Sequence, residues 1–413
     1  MNSASPFSIS QMLAHRPFLA LALCLGLSVA APASAQVDVV KGKPTVAVQP
    51  FSGLQAAEAT NVLRNDLNRT MMIDVSKPSG TDFVATAEVN GLGVRGRLTD
   101  GSGQEIFNQM FQGEWRQATH AFADAVTKAV TGVEGFATSR VAFISAATGH
   151  KELYVADIDG ANLQRLTQDE TISNAPAWSR DGNLIAYTSY KEGYPDVFVI
   201  DLRTGQRKRV AFFPGINTGA VFSPDGEELA LTLSKDGNPE IYTMPASGGQ
   251  PVRVTRTRGT ETSPSWSPDG ERLVYSSDDR GSPQLFIMPK VGAGDPDRVY
   301  TNLAFNTEPC WSPDGGKITF TTRLNGQFQI AVYDLKAKQT ATVTKNGGED
   351  STWTRNSRHA VYTSNGKLYV LDTATQQAMP IETGLGKITE PAVSHQAPAP
   401  RVASNAVPAN DVN

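Results

Sequence analysis

One tetrapeptide returns along the chain at near-constant spacing, and no other feature limits the possible folds as much. Ser223-Pro224-Asp225-Gly226, Ser267-Pro268-Asp269-Gly270 and Ser312-Pro313-Asp314-Gly315 are three copies, and Ser179-Arg180-Asp181-Gly182 and Thr354-Arg355-Asn356-Ser357 are diverged ones. Their third residues, at 181, 225, 269, 314 and 356, lie 44, 44, 45 and 42 residues apart. An aromatic residue precedes each copy: Trp178, Phe222, Trp266, Trp311 and Trp353. The tetrapeptide suits a type I turn, because serine caps, proline presets φ, and Asp and Gly fit the third and fourth places. β-rich runs follow each turn, at 184–189, 229–234, 273–277, 318–322 and 360–364, and third and fourth strands come after them. Four strands in about 42–45 residues make one propeller blade.

The ends of the array predict how it closes. Residues 140–145 resemble a second strand and 153–157 a third, with no turn motif before them. At the far end, Glu390-Pro391-Ala392-Val393-Ser394 matches Glu308-Pro309-Cys310-Trp311-Ser312, a first strand with no blade after it. Joined, the two fragments complete a sixth blade and remove the free sheet edge that invites aggregation. The expected fold is mainly β: a six-bladed β-propeller over residues 136–394, preceded by a small α/β domain over 44–135. In that domain, strands are expected at 44–50, 83–89 and 93–98, and apolar spacing predicts helices at 54–72 and 118–131. Residues 395–413, rich in Ala, Pro and Asn, read as a disordered tail.

Length and charge narrow the function classes. The chain's 413 residues exceed one ordinary domain core. A net charge of −4, from 37 basic and 41 acidic residues, opposes a nucleic-acid surface. Two cysteines, Cys24 and Cys310, exclude a disulfide scaffold or a thiolate zinc site. Residues 18–31 are an apolar run after Arg16, no acid occurs before Asp38, and Ala33-Ser34-Ala35 follows. That pattern reads as a secretory signal over 1–35, too short for a spanning helix. Leu23 is too large for the place before a lipid-modified Cys24. The mature chain is expected to be exported and not membrane-embedded, with Cys310 a small apolar residue.

No nucleophile elbow and no P-loop occur, so no catalytic residues are expected. His120, near a helix start, reads ordinarily as a surface or capping residue. Glu261, Glu308, Glu349 or Asp350, and Glu390 read as one repeat position around the channel mouth. A cation there is conceivable, but a solvated acidic rim is the ordinary reading, and no cofactor or metal is expected. The best candidate surface is the set of loops leading into the inner strands. It comprises Ile172 and Asn174, Ile216-Asn217-Thr218-Gly219, Glu261-Thr262, Thr307-Glu308, Asp350 and Glu390. These loops are mostly polar with an apolar tip, which suits a peptide or protein ligand.

With its export signal, small α/β domain and W-S-P-D-G (PD40-type) repeats in this order, the chain resembles the TolB family of the Tol–Pal envelope system. The segment Gly135-Phe136-Ala137-Thr138-Ser139-Arg140-Val141-Ala142-Phe143 resembles that family's domain junction. The resemblance implies a periplasmic adaptor that performs no chemistry. It implies that the lipoprotein Pal binds the channel mouth, at positions matching Ile216, Asn217, Thr218, Gly219 and Thr262. It implies that the C-terminal domain of TolA binds the extension 36–43, which includes Gln36, Val37, Asp38, Val39, Val40 and Lys41. Outer-membrane integrity, cell division and exploitation by colicins during import come with the family.

The extension's β-prone Val37, Val39 and Val40 suit strand addition to a partner's sheet edge. Ordering six residues costs about 6–12 kcal/mol of backbone entropy, so modest affinity is expected. An exchange of the extension between its own protein and TolA, biased by Pal, fits that cost. The alternative is a propeller hydrolase or lyase acting on envelope sugars or peptides. It needs His, Asp or Glu groups converging in the channel, and the acidic positions alone support it.

Overall fold

The repeated turns form as their chemistry requires. In Ser223-Pro224-Asp225-Gly226 the Ser223 hydroxyl donates to Asp225 Oδ1 and accepts the Glu228 N–H at 2.9 Å, while Gly226 takes φ +79°. The hydroxyl's hydrogen bond holds the Asp225 carboxyl below the usual carboxylate range. The turns at Ser179, Ser267 and Ser312 close in the same way. The diverged copy keeps the pattern with Thr354 Oγ1 on Asn356 Oδ1 at 2.9 Å and Ser357 at φ +56°.

This computed structural model describes residues 42–75, 80–291 and 294–396. The signal region, residues 36–41 of the extension and the tail beyond Gln396 lie outside the described residues. Among the described residues no helix is long and apolar enough to cross a membrane.

Among the described residues, six four-stranded antiparallel sheets follow the small N-terminal sheet. Their inner strands are Ser173–Trp178, Asn217–Phe222, Glu261–Trp266, Asn306–Trp311, Glu349–Trp353 and Ile388–Val393, of blades one to six. The sixth blade joins the two ends of the array. Its inner strand pairs antiparallel with Arg140–Ser145, with Val393 opposite Val141 and Ile388 opposite Ser145. Ser394 reinforces the closure: its Oγ accepts the Arg140 N–H at 2.8 Å and its own N–H donates to Arg140 O at 2.9 Å.

The repeated tryptophans join blades. Trp178 Nε1 donates to Ala392 O, Trp266 Nε1 to Val221 O and Trp353 Nε1 to Cys310 O, each a carbonyl of the preceding blade's inner strand. Trp311 instead donates to Gly315 O of its own turn. An indole there gives a large buried face and one donor aimed at a backbone carbonyl, which has a second lone pair to accept it.

The α/β domain has β1 (Val46–Val48), β2 (Ser52–Gly53), α1 (Ala56–Arg69), β3 (Phe83–Asn90), β4 (Gly93–Asp100), β5 (Glu105–Gln112) and α2 (Trp115–Thr131). The sheet order is β1-β3-β4-β5, with β1 and β2 both parallel to β3. Strand β5 was not expected from the sequence: most of its side chains are exposed, so it carries no readable apolar alternation. The second helix begins three residues earlier than expected, because Glu114 caps it by accepting the Arg116 and Gln117 N–H groups. Phe122 lies on the sheet over Gly96, where any Cβ would meet its ring at 2.5 Å.

The described residues from Lys43 onward form one compact unit, and the α/β domain packs on blades five and six. Phe136 packs on the His359 ring at 4.7 Å, and Met71 joins the same apolar cluster as Val141 and Val361. The Arg355 guanidinium pairs with Asp124, whose carboxylate also accepts the Ala137 and Thr138 N–H groups. Arg69 Nη1 donates to Pro380 O at 3.0 Å.

Candidate functional site

The inner strands all bend at one place. In each, the register with the second strand shifts, and the first bulged residue is left-handed: Ala175, Gly219, Ser263, Glu308, Asp350 and Glu390, at φ +49° to +65°. A β-bulge re-aims a side chain, and proline is tolerated beside it. Pro176, Pro264, Pro309 and Pro391 occupy that next place. The six bulges line one end of an axial cavity of about 770 Å³. Arg180, Arg355 and His395 line it where the strands leave toward the turns.

This register corrects the acidic position expected from the sequence. Glu308, Asp350 and Glu390 share the bulge, but Glu261 stands two residues earlier, level with Asn217 and Asn306 at the strand start. Ser263 takes the third blade's bulge. The acids therefore form a crescent over blades four to six, facing Ala175, Gly219 and Ser263 on the other three. Counted back from the turn, Glu261 is six residues before Ser267, whereas Glu308, Asp350 and Glu390 are four before Ser312, Thr354 and Ser394.

The crescent is a relay. Asp350 N–H donates to Glu308 Oε2 at 3.3 Å, Glu390 N–H to Asp350 Oδ2 at 3.1 Å, and Ala175 N–H to the Glu390 carboxylate. Each carboxylate thus satisfies the backbone of the next blade's bulge. Burial first, then the Asp350 charge, pushes the Glu308 carboxyl up to about 8. Burial also raises Asp350 and Glu390, while Lys151 favours the charged form of both.

Other predicted residues divide by exposure. Ile172 and Ile216 are 43% and 42% exposed on the lead-ins to blades one and two; Phe212 is exposed on the second lead-in and Tyr194 on the turn between the second and third strands of blade one. Asn174, Thr218, Gly219, Thr262, Thr307, Glu308, Asp350 and Glu390 are partly buried and sit in the inner strands themselves, not in the preceding loops. Asn217 is buried: its Oδ1 accepts the Phe213 N–H and its Nδ2 donates to Pro195 O, so it shapes the loop that presents Ile216. Glu261 is buried too, accepting from Ser277 Oγ and Thr257 Oγ1, with burial and nearby Glu240 raising its carboxyl to about 7. Neither side chain lies on the surface where the sequence placed it. Cys310 is half-buried and lines the cavity, and burial pushes its thiol up.

His395, expected within the tail, is placed: its ring Nε2 is 3.2 Å from Trp353 O. It lies at the turn end of the cavity, five residues along the strand direction from Glu390. No other histidine lines the cavity among the described residues.

The family described as PD40, TolB beta propeller domain, matches residues 127–397. The chain belongs to the TolB β-propeller family. A Tol-Pal system protein TolB of Thiobacillus denitrificans is 32% identical over 196 residues, 39% of this chain and 46% of that protein. One of Polaromonas sp. is 33% identical over 214 residues, 43% of this chain and 49% of that protein. The chain thus spans about half the length of these curated relatives, or less. The crystal structure of TolB from Acinetobacter baumannii matches with a TM-score of 0.77 at 28% identity, covering 86% of this chain and 97% of that one. The structural likeness therefore includes the α/β domain as well as the propeller characteristic of the TolB family.

Proposed function

We propose that this chain is a periplasmic, non-enzymatic adaptor of the Tol–Pal system, holding Pal at the bulged end of its channel and TolA through residues 36–43. The observation that carries the reading is the channel mouth. The cavity's bulged end carries an acidic crescent whose carboxylates are already committed to backbone N–H groups, and the lead-ins to blades one and two expose Ile172 and Ile216. Carboxylates committed in that way shape a rim, whereas a general acid or base must be free to reach a substrate proton. Exposed apolar residues on a stiff scaffold suit a protein ligand. Kinship with named Tol-Pal system proteins supports the same reading.

The test is capture of Pal and of the TolA C-terminal domain by the mature chain. Ile216→Asp is expected to weaken Pal capture at least tenfold and to leave TolA capture unchanged. Removal of residues 36–43 is expected to abolish TolA capture and spare Pal. Equal Pal retention by Ile216→Asp and the wild type would misplace the interface.

A further inference from the structure

The described chain stops at the axial cavity. Ser394 closes blade six, the His395 ring rests against Trp353 O, and Gln396 lines the cavity at its turn end. Residues 397–413 follow, beginning Ala397-Pro398-Ala399-Pro400-Arg401. Arg401 is their one basic residue, and Asp411 is their one acidic residue. The two ends of the cavity differ in charge. Arg180 and Arg355 stand at the turn end, with Arg355 committed to Asp124, and Glu308, Asp350 and Glu390 stand at the bulged end. Between the ends the wall is built of Pro176, Pro264, Pro309, Trp178, Trp266 and Trp311.

We propose that the chain's own segment 397–401 enters the axial cavity from the turn end and carries the Arg401 guanidinium to Asp350 and Glu390. The length fits. Bulge and turn lie four residues apart in each inner strand, about 13 Å. After a reversal at Gln396 and Ala397, the run from Pro398 to Arg401 covers about 9 Å in polyproline II, and the long arginine stem covers the rest. The volume fits as well: pockets of about 300–1,000 Å³ enclose small ligands, and this one has about 770 Å³. A proline-rich segment is preset for polyproline II, loses little entropy on docking, and suits an aromatic wall. At the bulged end, Asp350 and Glu390 each accept one backbone N–H of the next blade and keep lone pairs for a further donor. A guanidinium fork is the donor that matches carboxylates best. Glu308 lies one blade further on and keeps its proton. Arg180 repels Arg401 at the turn end and the crescent attracts it, so the axial field sets the direction of entry. A partner that reaches the crescent must first displace this segment.

A synthetic 397–413 peptide, titrated calorimetrically into the full-length mature chain and into a chain ending at Gln396, decides the matter. The shortened chain keeps every strand of the six blades. A tethered segment acts at an effective concentration on the order of millimolar, so the peptide is expected to bind the shortened chain with Kd of about 100 μM or tighter. It is expected to bind the full-length chain at least tenfold more weakly, because the chain's own segment holds the site. Arg401→Glu in the peptide and Asp350→Asn in the shortened chain are each expected to weaken binding at least tenfold. If Asp350→Asn fails to fold, the peptide substitution decides alone. Full-length Arg401→Glu should take up the wild-type peptide as the shortened chain does, with no deletion involved. No binding by the shortened chain, equal binding by the two chains, or binding indifferent to Arg401 overturns the proposal and leaves the cavity to a partner protein or a second copy. Pal takes no part in the measurement, so its outcome is separate from that of the adaptor reading.

Discussion

Glu308 sits in a left-handed bulge, with its carboxyl shared between Thr321 Oγ1, at 2.7 Å, and the Asp350 N–H. Burial first and the Asp350 charge second raise it to about 8 from the ordinary 4.5. Between those values the unfolded chain releases the proton and the folded chain keeps it. The contribution of Glu308 is therefore fully present below about pH 4.5 and is lost as pH rises toward 8. Asp350 and Glu390, also raised by burial, act in the same direction. Glu308→Gln copies the protonated shape without titrating. Its stability relative to wild type is expected to improve by on the order of 2 kcal/mol between pH 5 and pH 8. Urea unfolding of both proteins at the two pH values measures this, and a difference that does not change with pH would show that Glu308 ionises freely.

At the scale of the element, the closing strand Ile388–Val393 does for blade six what chain continuity does for the others. Without it, Arg140–Ser145, fully buried and carrying Val141, Phe143 and Ile144, becomes a free sheet edge. A chain ending at Lys387 is therefore expected to self-associate, while Val393→Asp, which buries an unpaired charge, is expected to cost about 3 kcal/mol. Size-exclusion chromatography and thermal melts test both, and a monomeric truncated chain with an unchanged midpoint would refute the closure's role. This closure was legible because Glu390-Pro391-Ala392-Val393-Ser394 repeats the chemistry of Glu308-Pro309-Cys310-Trp311-Ser312. Turn residues and indoles act locally, so they announce themselves at fixed spacing. The bulge lies four residues before the first turn residue in every blade, but no residue type marks it: it holds Ala175, Gly219, Ser263 or an acid. Glu261 was assigned to the wrong place because it was grouped with the other acids by residue type and not by its distance from the turn, and the exposed strand β5 went unseen because it carries no apolar alternation.

At the scale of the whole molecule, the domain seam had no sequence signature beyond the resemblance of residues 135–143 to a domain junction, because its other contacts join residues far apart. Asp124 meets Arg355, and His359 meets Thr70 O across 289 positions. No local pattern links such pairs, and the burial of His120, whose Nδ1 is 2.7 Å from Asp66 Oδ2, was missed for the same reason. The His359 contact has a consequence for acid stability. The ring is fully buried, with Nε2–H donating to Thr70 O at 2.6 Å and Nδ1 accepting from Asn356 Nδ2 at 3.0 Å. Burial is the main cause that lowers it to about 4, with Arg358 adding to the fall and Asp372 and Thr70 O opposing it. Between 6.5 and 4 the unfolded chain takes up a proton that the seam refuses, so stability drops as pH falls through that window. His359→Gln keeps an amide donor for Thr70 O and does not titrate. Every other group titrates alike in both proteins, so the difference between them isolates this ring. From pH 7 to pH 5 the wild type is expected to lose about 2 kcal/mol relative to the variant in urea unfolding. Parallel losses in the two proteins would mean that the imidazole is free to protonate, and that His359 does not hold the domains together in its neutral form.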